Sequence, residues 1–141
     1  MLHRIDHVGI AVVNLDAAVE RYAETFALEV VAIEENPQQG VREAMLRLGA
    51  GSLAPASYVQ LLEPLSDDTP VGRFLARRGE GLHHVGYAVD DVARELETLT
   101  AQGIELVDQR PRHGSLGASI AFIHPKGLHG VLTELVQAVG A

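Results

Sequence analysis

The chain has 141 residues, 47% apolar and 21% charged, which suits a single soluble globular domain with a substantial core. A net charge of -8 speaks against nucleic acid and anionic membranes as partners, and the lack of cysteine excludes disulfides, thiolate metal centres and thiol nucleophiles. No apolar run reaches the ~18 residues of a membrane span, and a strand starting at residue 3 leaves no room for a signal peptide, so a cytoplasmic location is expected.

Taken in chain order, residues 3–13 read as an apolar strand, followed by a helix over about 15–26 with Asn14 or Asp16 as its cap. Strands are expected near 28–35, 42–49 and 57–63, with Gly49-Ala50-Gly51-Ser52 as a loop. Ser66 to Gly79 reads as a short helix with Pro70 in its first turn and Gly79 beyond its end. A strand at 83–89 follows, then a helix near 91–102 announced by Asp90-Asp91 and closed by Gly103. Strands near 104–108, 117–124 and 130–137 complete the chain, with Arg110 to Gly117 as a loop.

A repeat organises these elements. His7-Val8-Gly9-Ile10-Ala11-Val12 returns 77 residues later as His84-Val85-Gly86-Tyr87-Ala88-Val89, with five of six residues identical. Leu15, Val19 and Tyr22 correspond at the same offset to Val92, Leu96 and Leu99. A long period occurring twice indicates a duplicated half-domain and not a solenoid. The expected fold is α+β, one domain over 1–141 made of two βαβββ modules (about 1–64 and 81–141) joined by a helical linker (65–80).

Duplication brings equivalent positions of the halves together, and His7 and His84 are equivalents. The last strands of the halves, Tyr58-Val59-Gln60-Leu61-Leu62 and Leu132-Thr133-Glu134-Leu135-Val136, each carry one oxygen-bearing side chain inside an apolar run. A buried carboxylate is costly unless it is paired or bound to a cation. Two imidazoles, an amide oxygen and a carboxylate suit Mn²⁺, Co²⁺, Ni²⁺ or Mg²⁺ with two coordination positions left open; Zn²⁺ would be expected in a four-coordinate site. A lone strand histidine is usually a core or surface residue, and it is the matched pair with Gln60 and Glu134 that reverses this. His83 should face away from His84 across the strand, and His3, His113, His124 and His129 fall at strand ends or in loops.

With His7, Gln60, His84 and Glu134 so spaced, the chain resembles the vicinal oxygen chelate superfamily, and within it the methylmalonyl-CoA epimerases. The likeness spans essentially the whole chain. It is carried by Asp6 to Val12, Gly40-Val41-Arg42-Glu43, Gln60 to Pro64, Gly81 to Val85, and Phe122-Ile123-His124-Pro125-Lys126 through Gly130 to Leu135. The loop Pro111 to Gly117 departs from the family in being less uniformly glycine-rich. The resemblance implies a curved, barrel-like mixed sheet with outer helices, and interconversion of (2R)- and (2S)-methylmalonyl-CoA by 1,1-proton transfer through a metal-stabilised enolate.

Inversion needs acid–base groups on both faces of the planar intermediate, and the family's paired glutamates correspond to Glu43 and Glu134. Without the resemblance, Glu43 beside Arg42 would be read as a solvent-facing strand residue. Glu134 is asked to serve as both ligand and base. Ser115 and the amides of Gly114, Leu116 and Gly117 are candidates for the substrate carboxylate, with Lys126 as a further contact. Arg42, Arg47, Arg73, Arg77, Arg78, Arg110, Arg112 and Lys126 are available to CoA phosphates, with nothing to choose among them. The expected cofactor is one divalent ion, Co²⁺ ahead of Mn²⁺, Ni²⁺ or Mg²⁺; the expected partner is an acyl-CoA thioester and the expected assembly a homodimer. The rivals are a dioxygenase, disfavoured because Gln60 takes an open metal position, a glyoxalase-type lyase or isomerase, and a non-catalytic small-molecule-binding resistance protein.

Overall fold

In the computed structural model residues 1–49 and 55–140 are described; of the loop expected at 49–52, Ala50 to Ser52 lie outside them. The first half supplies β1 (Arg4–Ala11), α1 (Leu15–Phe26), β2 (Glu29–Asn36), β3 (Val41–Leu48) and β4 (Ser57–Pro64). Helix α2 (Pro70–Arg78) follows, then β5 (Gly81–Ala88) and α3 (Val92–Ala101). The chain ends with β6 (Arg112–His113), β7 (Ser119–Ile123) and β8 (Thr133–Gln137), with 3₁₀ turns at Ser115–Gly117 and Pro125–Leu128. The strands join in one mixed sheet of order β2-β3-β4-β1-β5-β8-β7-β6. No helix among the described residues is long and apolar enough to cross a membrane.

By contacts the chain divides into His7–His83 and a second unit of Met1–Asp6 with His84–Ala141. Within the first unit β2, β3 and β4 are antiparallel neighbours, and β4 runs parallel to β1. Helix α1 begins at Asn14, whose side chain accepts the Ala17 N–H, and ends where Ala27 turns left-handed at φ 52°. It covers one sheet face, where Leu15 packs among Ala44, Leu46, Val59 and Leu61. On the opposite face α2, capped by Thr69 with Pro70 as its first residue, sets Val71, Phe74 and Leu75 against Ala11, Val41 and Leu62.

The second unit repeats this plan. Strand β8 runs parallel to β5 and antiparallel to β7, and α3, capped by Asp91, packs Val92 and Leu96 on Ala121, Ile123 and Leu135. The N-terminal segment belongs here: the His3 N–H donates to the Ala88 carbonyl, and the His3 ring pairs with Asp90 at 3.0 Å.

The strand expected at 104–108 does not form. Leu106 makes only an isolated bridge to Ile123, because the ladder is interrupted by a side chain: the Phe122 N–H donates to Asp108 Oδ2 at 2.9 Å instead of to a backbone carbonyl. Part of the loop expected at 110–117 is instead the two-residue β6, paired with Ile120 and Ser119. The last strand begins at Thr133 and not at 130, after the left-handed residues His129 and Gly130.

Candidate active site

Alternation along each strand separates a helix-facing set of side chains from an opposite set. On β4, Val59 and Leu61 meet α1, which turns Gln60 and Leu62 to the other face. On β3 the same rule places Ala44 and Leu46 under α1, and Val41, Glu43 and Met45 opposite. Gln60 and Glu43 therefore share a face, with Glu43 opposite Leu62 in the register and Gln60 opposite Met45. Gln60 donates its Nε2 proton to Glu43 Oε2 at 3.1 Å, and both side chains are buried, Glu43 to 2% exposure. That hydrogen bond orients the amide so that its oxygen is the atom a cation would use. The solvent-facing reading of Glu43 is thus excluded.

His7 lies on β1 and is 3% exposed. Its strand neighbour Gly9 is the register partner of Gln60, just as Gly86 on β5 is the partner of Glu134 on β8. The duplicated glycines thus stand opposite the two oxygen-bearing residues.

In the second unit His84 Nε2 lies 3.7 Å from Glu134 Oε2, and both are buried. Phe122, the register partner of Glu134, stands edge-to-face with the His84 ring, centroids 5.3 Å apart. His7 in the first unit and His84 and Glu134 in the second are each buried, and each offers a ligand atom that a metal ion could use. Two imidazole nitrogens with carboxylate and amide oxygens and no sulfur are chemically suited to a divalent cation of intermediate hardness.

His83 does not join this pair. Its ring meets Phe74 of α2 edge-on at 5.0 Å, and burial pushes its pKa down to about 4, so it is neutral at physiological pH. Arg42, ion-paired with Asp16 at 3.0 Å, has its pKa raised chiefly by that hydrogen bond. Arg73 faces Asp68 at 3.8 Å and Arg112 faces Asp108 at 2.9 Å. Three of the arginines considered for CoA phosphates therefore have carboxylate partners already.

The loop around Ser115 is tightly folded on itself. The Gly114 N–H donates to Ala118 O and the Ala118 N–H to Ser115 O, while Leu116 and Gly117 adopt φ of 55° and 74°. A Cβ on Gly114 would come within 2.5 Å of Ile120 Cγ2, so only glycine fits there. Lys126 is exposed; its N–H donates to His124 Nδ1, which makes the His124-Pro125-Lys126 segment a capped turn. Sequence reading assigns Asp108 no role, places Phe122 only within a stretch that carries the family likeness, and offers Arg112 only as one of eight basic residues for CoA phosphates. The available signal was an aromatic residue in an apolar strand that pairs antiparallel with the strand of Glu134.

A family model described as Glyoxalase/Bleomycin resistance protein/Dioxygenase superfamily matches residues 6–122. An ethylmalonyl-CoA/methylmalonyl-CoA epimerase of Cereibacter sphaeroides is 34% identical, over 97% of this chain and 99% of its own. A solved structure of methylmalonyl-CoA epimerase in complex with methylmalonyl-CoA and NH4+ is 48% identical with a TM-score of 0.94, covering 99% of this chain and 97% of that one. A Streptomyces coelicolor methylmalonyl-CoA epimerase variant in complex with 2-nitronate-propionyl-CoA is 47% identical with a TM-score of 0.94, covering 100% and 98%. Matched over most of its length in both sequence and structure, the chain belongs to the Glyoxalase/Bleomycin resistance protein/Dioxygenase superfamily.

Proposed function

We infer that this protein is a methylmalonyl-CoA epimerase, interconverting the (2R) and (2S) epimers by removing the proton at C2 and returning it to the other face. The observation that carries the reading is the buried Glu43 carboxylate held by Gln60, a base candidate apart from the His84–Glu134 pair. Relatives at 47–48% identity solved with methylmalonyl-CoA or a CoA-thioester analogue support the substrate class.

His7, Gln60, His84 and Glu134 are the residues we assign to a divalent cation, with Co²⁺ preferred. Bound there, such an ion would polarise the thioester and favour the negative charge of the enolate. Glu43 takes the C2 proton of one epimer. The carbon flattens, and Glu134, protonated at the outset, delivers its proton to the opposite face; the reverse reaction exchanges the roles. Gln60 keeps the Glu43 carboxylate pointed in one direction, so the base need not reorient as charge moves. Ser115, Leu116 and Gly117 are proposed to receive the substrate's free carboxylate, with Gly114 shaping the turn and Lys126 at the rim. We assign the working assembly as a homodimer in the cytoplasm.

The test is to incubate a single epimer of methylmalonyl-CoA with the protein in D₂O and follow C2 by proton NMR. An equilibrium mixture of both epimers, deuterated at C2, is the expected outcome. No exchange in either epimer, together with consumption of a methylglyoxal–glutathione adduct, would replace this reading by the glyoxalase one. Ethylmalonyl-CoA belongs in the same experiment, since one relative's name couples the two substrates.

A further inference from the structure

Three residues outside the ligand set form a closed circuit around Phe122. Asp108 accepts the Phe122 N–H at Oδ2, 2.9 Å, and pairs through Oδ1 with Arg112 Nε at 2.9 Å. The Phe122 carbonyl accepts in turn from the N–H groups of Val107 and Asp108, at 3.0 and 3.2 Å. Arg112 closes the loop by standing over the Phe122 ring, 5.9 Å from its centroid. Phe122 is thereby fixed on its backbone and on one ring face. It is buried among Ala118, Ile120 and Val136.

What the ring braces is His84. The two planes meet at 83° with centroids 5.3 Å apart, the edge-to-face arrangement that aromatic pairs prefer. The contact limits the tilt of the imidazole, whose Nε2 lies 3.7 Å from Glu134 Oε2. Phe122 is also the register partner of Glu134, so one residue abuts both members of the pair.

We propose that Asp108, Arg112 and Phe122 are a positioning unit for His84, and that their arrangement sets how tightly the site holds a divalent cation. This role presupposes the cation site assigned above. Outer groups that orient a metal-binding histidine typically govern metal affinity by about 10–100-fold. Because Arg112 starts β6, two residues before Gly114, the unit also links the Ser115 loop to the ligand pair.

The experiment is calorimetric titration of Co²⁺ into metal-free protein, comparing wild type with Phe122→Leu, Arg112→Met and Ile123→Val. Ile123 is the matched control: it is equally buried on the same strand but faces α3, so its truncation loosens the core without touching His84. Phe122→Leu should weaken Co²⁺ binding by roughly 10–100-fold. Arg112→Met, which leaves the core packed and guards against misfolding of the first variant, should weaken it several-fold. Ile123→Val should stay within about twofold of wild type. Wild-type affinity in Phe122→Leu and Arg112→Met, or an equal loss in Ile123→Val, overturns the positioning role while leaving the cation site standing. Failure of the wild type itself to bind Co²⁺ removes the site and the role together.

Discussion

Glu43 is a carboxylate at 2% exposure whose partner Gln60 donates an N–H to it. Burying a carboxylate is costly, and the Gln60 amide offsets part of that cost. Glu43→Gln keeps an oxygen to accept from Gln60 and removes only the basicity. Epimerisation should fall by about 10²–10⁴-fold with Co²⁺ affinity unchanged, and one epimer should keep exchanging its C2 proton while the other slows sharply. Equal exchange of both epimers by the variant, read by NMR on each epimer separately, would end the two-glutamate assignment. The sequence presented this residue poorly, because Arg42-Glu43 looks like a solvated pair. The better signal was its flanks: Val41 and Met45, on the same face two residues either side, are both buried. Gln60 and Glu134 were noticeable as candidates because each interrupts an apolar run in the last strand of its half, and His7 and His84 were noticeable because they open the repeated motif. Phe122 was not, since an aromatic among apolar neighbours reads as core, and only its ring contacts distinguish it.

At the scale of elements, the duplication extends to hydrogen bonds the sequence motif does not contain. The Leu15 N–H, first in α1, donates to Glu63 Oε2 at 2.7 Å; the Val92 N–H, first in α3, donates to Gln137 Oε1 at 3.0 Å. In parallel, the Val12 N–H bonds Leu62 O and the Val89 N–H bonds Val136 O. Each half thus ties the start of its helix to its last strand, three residues beyond Gln60 or Glu134. These ties satisfy amides that a helix cannot satisfy internally, and Glu63 adds a negative charge where the helix dipole favours one. Glu63→Ala should cost about 1 kcal/mol in urea unfolding, and Gln137→Ala somewhat less because its acceptor is neutral. An effect below about 0.3 kcal/mol in Glu63→Ala would mean that water replaces the carboxylate without loss. The helices and first strands were legible because caps and periodicity agree there. The stretch at 104–108 was misread because Ile104, Leu106 and Val107 suit a strand, while the use of the Asp108 side chain as a ladder acceptor is settled by tertiary placement.

For the molecule as a whole, His83 bears on acid stability. Its folded pKa of about 4 lies below the 6.5 of an unperturbed imidazole, because burial against Phe74 disfavours the charged form. Between those values the unfolded chain carries a proton that the folded chain does not. Stability from this group is therefore fully present above about pH 6.5 and is lost as the pH falls toward 4. His83→Gln removes that dependence while leaving the other histidines to titrate equally in both proteins. From pH 7 to 4.5 the wild type should lose on the order of 2 kcal/mol more than the variant, measured by urea midpoints across the range. Parallel pH profiles would show that His83 is solvated in the folded state.

The contact units part immediately before each of the two repeated histidines, so Met1–Asp6 packs with residues emitted by the ribosome more than seventy positions later. Synthesis is vectorial, and domains generally acquire structure from the N-terminal side as chain emerges. The stretch His7–His83 is contiguous and has all of its own contacts available once its last residue clears the exit tunnel. The opening hexapeptide must wait outside that unit until β5 and the Asp90 turn arrive to receive His3. A slowly translated second half would thus prolong the interval in which the first strand has only its C-terminal portion paired.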